Sequence, residues 1–175
     1  MSAMPSDDPD QVLAKLQRAI SKADARAVAR LLERSPALLA SRPGPSADLL
    51  ALALRVASRE ARVTLLQPAE QARAALESQR AIVDLLLAHG ASVDGDAQSR
   101  DHAPVAVAAM LAHPMFLELL LARGADPSTA RGGLDAMSAV LQRRERRAPE
   151  HRSHDDAFIA LLERHGSGKG VPART

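Results

Sequence analysis

The chain of 175 residues contains no cysteine, tryptophan or tyrosine, and its aromatic residues are Phe116 and Phe158 alone. The absence of cysteine excludes disulfides, thiolate-bound zinc, iron–sulfur clusters and thiol catalysis. β-Sandwiches and barrels depend on aromatic and β-branched residues, and this chain is poor in both. Alanine and leucine dominate instead, and both are strong helix formers. We therefore expect an all-α fold.

A large excess of charge of either sign is also lacking. The 23 Lys and Arg residues nearly balance 21 Asp and Glu, which leaves a formal net charge of +2. The sequence pI of about 9.6 reflects the missing Cys and Tyr, because without them almost nothing titrates between roughly pH 7 and 10. The charge balance argues against a strong contact with a phosphate backbone.

Long hydrophobic runs are absent from the sequence. No apolar run approaches the roughly 18 residues of a membrane span. Residues 1–11 are polar and acidic, unlike a signal peptide. We expect a cytoplasmic protein with no membrane partner, folded as a single domain over residues 1–166. The small, polar segment 167–175 is expected to be a disordered tail.

Two similar segments are the strongest pattern in the sequence. Leu85–Asp94 reads LLLAHGASVD and Leu119–Ser128 reads LLLARGADPS, with their glycines 34 residues apart. Weaker copies are LLERHG, which ends at Gly166, and LLERSP, which has Ser35 at the glycine position. A glycine after an apolar helix supplies the left-handed residue that ends it. The period predicts a helical repeat protein.

The segment between the two best copies resembles the ankyrin repeat. The family's T-P-L-H-x-A motif corresponds to residues 103–108, which read APVAVA, and its Gly-His corresponds to Ala112-His113. Pro104 suits the first turn of a helix, where a missing N–H has no consequence. The resemblance implies a solenoid of about four helix-turn-helix repeats.

The spacing between repeat copies predicts two insertions. About 21 extra residues separate the helices of repeat two, around Ser58–Glu77, and about ten separate those of repeat four, around Arg144–Ser153. The helical periodicity of residues 72–87 predicts that the first insertion extends a helix. Asp48 is expected near the N-cap of the third helix. Helices are expected near 9–20, 24–34, 47–60, 69–89, 103–111, 114–122, 134–144 and 154–165.

No group of residues in the sequence has the pattern of a catalytic site. GSGKG at 166–170 lacks the first glycine of a phosphate loop, because Glu163 occupies that position. His151, His154, Asp155 and Asp156 are the one cluster of metal-ligand types, but their spacing does not match a zinc site. The two aspartates are more simply first-turn carboxylates of a helix. We expect no enzyme activity, cofactor, metal or small-molecule substrate.

Arginines are concentrated in the segment RRERRAPEHR, residues 143–152. Such a run can bind an acidic protein surface or nucleic acid, or it can be a solvated helix end and linker diluted by glutamates. No aromatic residues for base stacking accompany it, which weakens the case for single-stranded nucleic acid. Its candidate partner-binding residues are Arg143, Arg144, Arg146 and Arg147.

The ankyrin resemblance implies protein binding through the turn tips and the inner helix face. The tips would fall near Arg42–Ser46, Asp94–Asp101 and Thr129–Gly133. Met110 and Leu111 occupy variable positions that would be either an exposed apolar patch or packing, whereas Phe116 is expected in the core. Further candidate partner-binding residues are Arg42, Arg55, Asp96, Arg100, Asp101, Met110, Leu111 and Arg131.

These observations together predict a non-catalytic protein–protein interaction module with a protein partner. An alternative is an immunity protein that neutralises a cognate bacterial toxin or effector. A nucleic-acid-associated regulator that uses Arg143–Arg152 is a third possibility. The fold by itself does not decide among them.

Overall fold

The computed structural model of the protein describes residues 8–41, 43–64, 69–95, 103–110, 114–130 and 133–166. This part of the chain is mostly helical and contains no β-strand, which confirms the all-α prediction. The expected tail 167–175 lies outside it. A 3₁₀ turn, Pro149–His151, also occurs. The helices are α1 Pro9–Ser21, α2 Ala25–Arg34, α3 Leu38–Ser41, α4 Pro43–Thr64, α5 Ala69–Ala88, α6 Pro104–Met110, α7 Pro114–Ala122, α8 Ala136–Glu145 and α9 Ser153–Arg164.

The eight expected helices all occur, and the largest difference lies in α4. This helix begins at Pro43, so Asp48 lies inside it and the N-cap prediction was wrong. The first turn of a helix has no use for its backbone N–H groups, so Pro43 and Pro45 can begin the helix earlier than Asp48. Helix α4 has 22 residues and α5 has 20, so the described residues of the segment Ser58–Glu77 are helical, as predicted.

The chain divides into two compact units, residues 1–92 and 93–175. In the first unit α4 packs along α5, α1 contacts α2 and α4, and α2 contacts α5. Side chains of Asp8 and Asp24 cap α1 and α2. The fully buried large side chains of this unit are Leu16, Ile20, Leu32, Leu39, Leu50, Leu54, Ile82 and Leu86.

In the second unit α6 packs against α7 and α8, while α9 contacts α7 and α8. Helix α6 begins at Pro104, as predicted, and its residues from Pro104 to Ala109 are all buried. Phe116 is 1% exposed, which confirms its place in the core. The other large, fully buried side chains are Leu117, Leu120, Phe158 and Leu162.

The repeat glycines end helices as predicted. Gly90, Gly124 and Gly166 have φ angles of +88°, +87° and +94°. After both α5 and α7, the glycine and the residue that follows it donate backbone hydrogen bonds to carbonyls of the last helical turns. At the end of α5, the N–H of Gly90 donates to the carbonyl of Leu87 and that of Ala91 donates to Leu86. This pair of hydrogen bonds is the Schellman motif. Ser35, in the degenerate copy, has φ −137° instead.

Helix α1 ends in the same motif without a glycine. The N–H of Ala23 bonds to the carbonyl of Ile20, and that of Asp24 bonds to Ala19. Ala23 has φ +56°, a left-handed conformation that is unfavourable for a residue with a Cβ. The hydroxyl of Ser78 on α5 donates to the Ala23 carbonyl at 3.3 Å, which ties this turn to the rest of the first unit.

No helix in the described ranges combines the length and apolar character needed to cross a membrane.

Candidate functional site

The structure describes six of the twelve predicted partner-binding residues. Arg55 is exposed on α4 of the first unit, and the other five belong to the second unit. These five are Met110, Arg143, Arg144, Arg146 and Arg147. Outside the described residues lie Arg42, Asp96, Arg100, Asp101, Leu111 and Arg131.

Helix α8 turns one of its arginines toward the core. The helix buries Ala136, Ala139 and Val140, and Arg143 follows the last two by four and three residues. Residues at these spacings share one face of a helix. The Arg143 side chain is accordingly only 13% exposed.

The Arg143 guanidinium contacts three groups on two other helices. Its Nε donates to Oδ1 of Asp155 at 2.8 Å, and its Nη2 lies 2.6 Å from the same oxygen. Its Nη1 donates to the carbonyl of Ala109 at 2.8 Å. The guanidinium also lies over the ring of Phe158, 4.3 Å from the centroid. One side chain of α8 therefore joins the end of α6 to α9.

Asp155 is the buried counter-charge of this cluster. Its side chain is fully buried, and a second guanidinium, Nη1 of Arg147, lies 3.4 Å from its Oδ1. Its Oδ2 has no hydrogen-bond partner among the described residues. Burial lowers the pKa of Arg143, while the charge and hydrogen bond of Asp155 oppose that shift. Asp155 thus offsets much of the cost of burying Arg143.

The remaining arginines of the run face different surroundings. Nη2 of Arg144 lies 3.0 Å from Oδ1 of Asp156 in a partly exposed pair. Arg146 is exposed, and Nε of Arg152 donates to the Arg147 carbonyl at 3.3 Å. The run therefore does not form one continuous basic surface, because Arg143 and Arg147 turn to a buried carboxylate.

The sequence analysis placed Asp155 correctly in the first turn of α9 but missed its contact with Arg143. A signal for it was present in the spacing. Asp155, Phe158 and Leu162 are three and four residues apart, so they share one face of α9, and all three are buried. A charged residue at a core position requires a partner of opposite charge, and Arg143 occupies the matching core position of α8.

Two large hydrophobic side chains of the second unit are exposed. Met110, at the end of α6, is 37% exposed and Leu141, on α8, is 41% exposed. Met137 lies one turn before Leu141 and is half-buried. Helices α6 and α8 pack against each other. We call Met110, Met137 and Leu141 the apolar surface; the sequence analysis named Met110 and missed Leu141.

The turn after α7 is held by carboxylates. Oδ1 of Asp126 accepts bonds from the N–H of Ser128 at 2.9 Å and from its hydroxyl at 2.6 Å. These bonds hold the pKa of Asp126 below its usual value, and the bond from the Ser128 hydroxyl contributes more than the bond from its N–H. Oδ1 of Asp94 accepts the N–H of Asp126 at 2.9 Å. These bonds join two segments that follow the repeat glycines.

The described residues include no group of three or more His, Cys, Asp or Glu side chains that could hold a metal ion. The described part of the second unit exposes Met110, Leu141 and Arg146. In comparisons with known proteins, no protein-family model, curated protein or solved structure matches this chain.

Proposed function

We propose that the protein is a non-catalytic protein-interaction module whose partner binds the apolar surface of the second unit. The observation that carries this proposal is the exposure of Met110 and Leu141 on two helices that pack together. Contiguous exposed apolar patches are typical of protein contact sites, and the proposal requires Met110 and Leu141 to belong to one such patch. Methionine is also among the residue types enriched at the centre of interfaces.

The residues around the apolar surface have the character of an interface rim. Gln142, Glu145 and Arg146 are exposed, and the partly exposed Arg144 has a carboxylate partner in Asp156. A polar rim around an apolar centre is the usual arrangement in protein interfaces. Arginine is also enriched among the residues that dominate binding energy.

The contacts of Arg143 support the proposal because they join α8 to α6, the two helices that carry the apolar surface. The bond from Arg143 to the carbonyl of Ala109 fixes the residue immediately before Met110 beside α8. A partner would then meet a surface that is already formed, and little conformational entropy would be lost on binding.

The experiment is affinity capture with quantitative mass spectrometry, which compares the wild type with matched variants. Met110→Glu with Leu141→Glu places charge on the apolar surface and should remove the captured partner. Gln142→Glu adds a charge to the same exposed helix without removing an apolar group, and it should retain the partner. Circular dichroism of each variant checks that the helices are intact.

The proposal fails if the folded double variant captures the same proteins as the wild type. It also fails if Arg55→Glu, in the other unit, removes the partner while the double variant retains it. The captured protein also tests the immunity-protein form of the proposal, which requires a toxin or effector whose activity this chain blocks.

A further inference from the structure

A basic cleft lies between the first two helices of the first unit. Its volume is about 350 Å³, at the lower end of the range for ligand sites. The cleft lining contains three cationic residues and no acidic residue. Its residues are Lys15 and Ala19 of α1 with Ala27, Arg30, Leu31 and Arg34 of α2.

The sequence of α2 explains this lining. Val28 and Leu32 are buried in the core, so the rows beside them face outward. Arg30 and Arg34 form one row, four residues apart, and both are exposed. Ala27 and Leu31 form the next row and are half-buried. Residues four apart are neighbours on a helix, so two guanidinium groups lie alongside a short apolar strip.

In the part of the chain that the structure describes, the arginines of this row have no counter-charge. Within the described residues, neither Arg30 nor Arg34 forms an ion pair with a carboxylate. The carboxylate of Asp24 instead caps α2 through the N–H of Ala27, and the exposed Glu33 does not line the cleft. Like charges one turn apart repel each other, and a bound anion would relieve that repulsion.

We propose that this cleft binds an acidic protein segment that places an aliphatic side chain between its carboxylates. Arginine binds carboxylates through paired hydrogen bonds. Arg30 and Arg34 are about 6 Å apart along the helix axis, which matches two carboxylates one turn apart on a partner helix. Ala19, Ala27 and Leu31 provide the apolar floor for the aliphatic group.

The lining favours a peptide over nucleic acid. Bound single strands are usually stacked on aromatic side chains, and the six lining residues include none. An apolar floor also offers nothing to a phosphate group. The site goes beyond the function proposed above, since it belongs to the other unit and does not involve Met110 or Leu141.

The probe is a capped, fluorescently labelled helical peptide of roughly 16 residues, long enough to form a helix. It carries Glu at positions i, i+4 and i+7 around Leu at i+3. Its binding to the full chain is measured by fluorescence anisotropy. Arg30→Gln with Arg34→Gln should weaken binding about tenfold or more. Replacing the peptide's Glu residues by Gln, or its Leu by Ala, should also weaken it.

The matched control is Arg18→Gln with Arg59→Gln. These arginines are exposed on α1 and α4 of the same unit, outside the cleft lining and outside the row of Arg30 and Arg34, and their removal lowers the net charge equally. This control should bind the peptide with close to wild-type affinity. The Met110→Glu, Leu141→Glu variant should also retain it, which separates this inference from the proposed function.

Four results would overturn the inference. They are no measurable peptide binding, equal losses in the two arginine variants, and tighter binding of inorganic phosphate or a single-stranded oligonucleotide than of the peptide. The fourth is self-association in sedimentation experiments that the Arg30→Gln, Arg34→Gln variant abolishes, because a second copy of the chain would then occupy the cleft.

Discussion

At the level of single residues, Arg143 and Asp155 carry charges in the interior of the second unit. Removing a buried ion pair together with both charges is often tolerated, whereas removing one partner leaves an uncompensated charge. The Arg143 side chain cannot easily turn to solvent, because it is only 13% exposed and its guanidinium already donates to the Ala109 carbonyl. The two residues should therefore behave very differently from the exposed pair of Arg144 and Asp156.

Asp155→Asn should lower the free energy of unfolding by about 3 kcal/mol, because it removes the negative charge next to the buried Arg143. The matched change Asp156→Asn, in a partly exposed pair, should cost less than about 1 kcal/mol. Urea unfolding followed by far-ultraviolet circular dichroism measures both. Equal losses would mean that the buried cluster contributes no more than a surface pair.

The Asp126 turn predicts a measurable pH effect. Because Ser128 donates to the ionised carboxylate, the pKa of Asp126 is held below its usual value in the folded protein. The stability that the ionised Asp126 carboxylate contributes is present above its unfolded pKa of about 4. It is lost as the pH falls through the folded pKa. Ser128→Ala removes the hydroxyl bond and should raise the pKa of Asp126 toward its usual value, as measured by NMR titration of the carboxyl carbon. An unchanged pKa would contradict the hydroxyl contact.

At the level of helices, the ends were the features best predicted from sequence. The repeat pattern predicted left-handed residues at Gly90, Gly124 and Gly166, and all three are confirmed. The left-handed residue after α1 was not predicted, because this position is occupied by Ala23 and not by a glycine. Local sequence therefore identifies a helix end when the residue that favours it is present.

Ala23→Gly should raise the free energy of unfolding by about 0.5–1 kcal/mol. Relief of the left-handed strain at φ +56° is worth about 1–2 kcal/mol, and the greater backbone entropy of glycine offsets part of it. Thermal unfolding of the variant measures the gain. A lower melting temperature would show that the alanine methyl group contributes more by packing than its backbone strain costs.

Gly90→Ala should destabilise the protein more than Gly124→Ala. Both changes place a Cβ on a residue with positive φ, which costs about 1–2 kcal/mol of strain. The new Cβ at residue 90 would also lie 3.0 Å from Cβ of Ala40, whereas the one at residue 124 meets nothing within 4 Å. Parallel urea unfolding of the two variants compares them, and equal losses would mean that α3 shifts at Ala40 without a measurable cost.

Contacts between helices were harder to predict than the helices themselves. Five of the ten residues of α8 are apolar, and they are not confined to one face: they are Ala136, Met137, Ala139, Val140 and Leu141. Periodicity cannot then tell which face is buried, so the exposure of Leu141 was missed. The position of Arg143 depends on α6 and α9, which contact α8 only after folding.

At the level of the whole molecule, charge balance predicts weak affinity for nucleic acids. The net charge is +2, and Arg143, Arg144 and Arg147 already contact carboxylates. We expect only weak, non-specific binding to DNA or RNA at physiological salt, decreasing steeply as salt rises. Anisotropy titrations with labelled oligonucleotides measure it. Sub-micromolar, sequence-selective binding would favour a nucleic-acid-associated regulator.

The position of Phe158 beneath Arg143 has a spectroscopic consequence. The chain has two phenyl rings and no tryptophan or tyrosine. Both phenyl rings are buried, so core protons packed on Phe116 or Phe158 should be displaced upfield by a ring current. The guanidinium lies over the Phe158 ring face, and the Arg143 side-chain protons should therefore resonate apart from those of the other arginines. A proton spectrum of the unmodified protein would thus report whether α6, α8 and α9 are assembled, and it would do so without any tryptophan to excite.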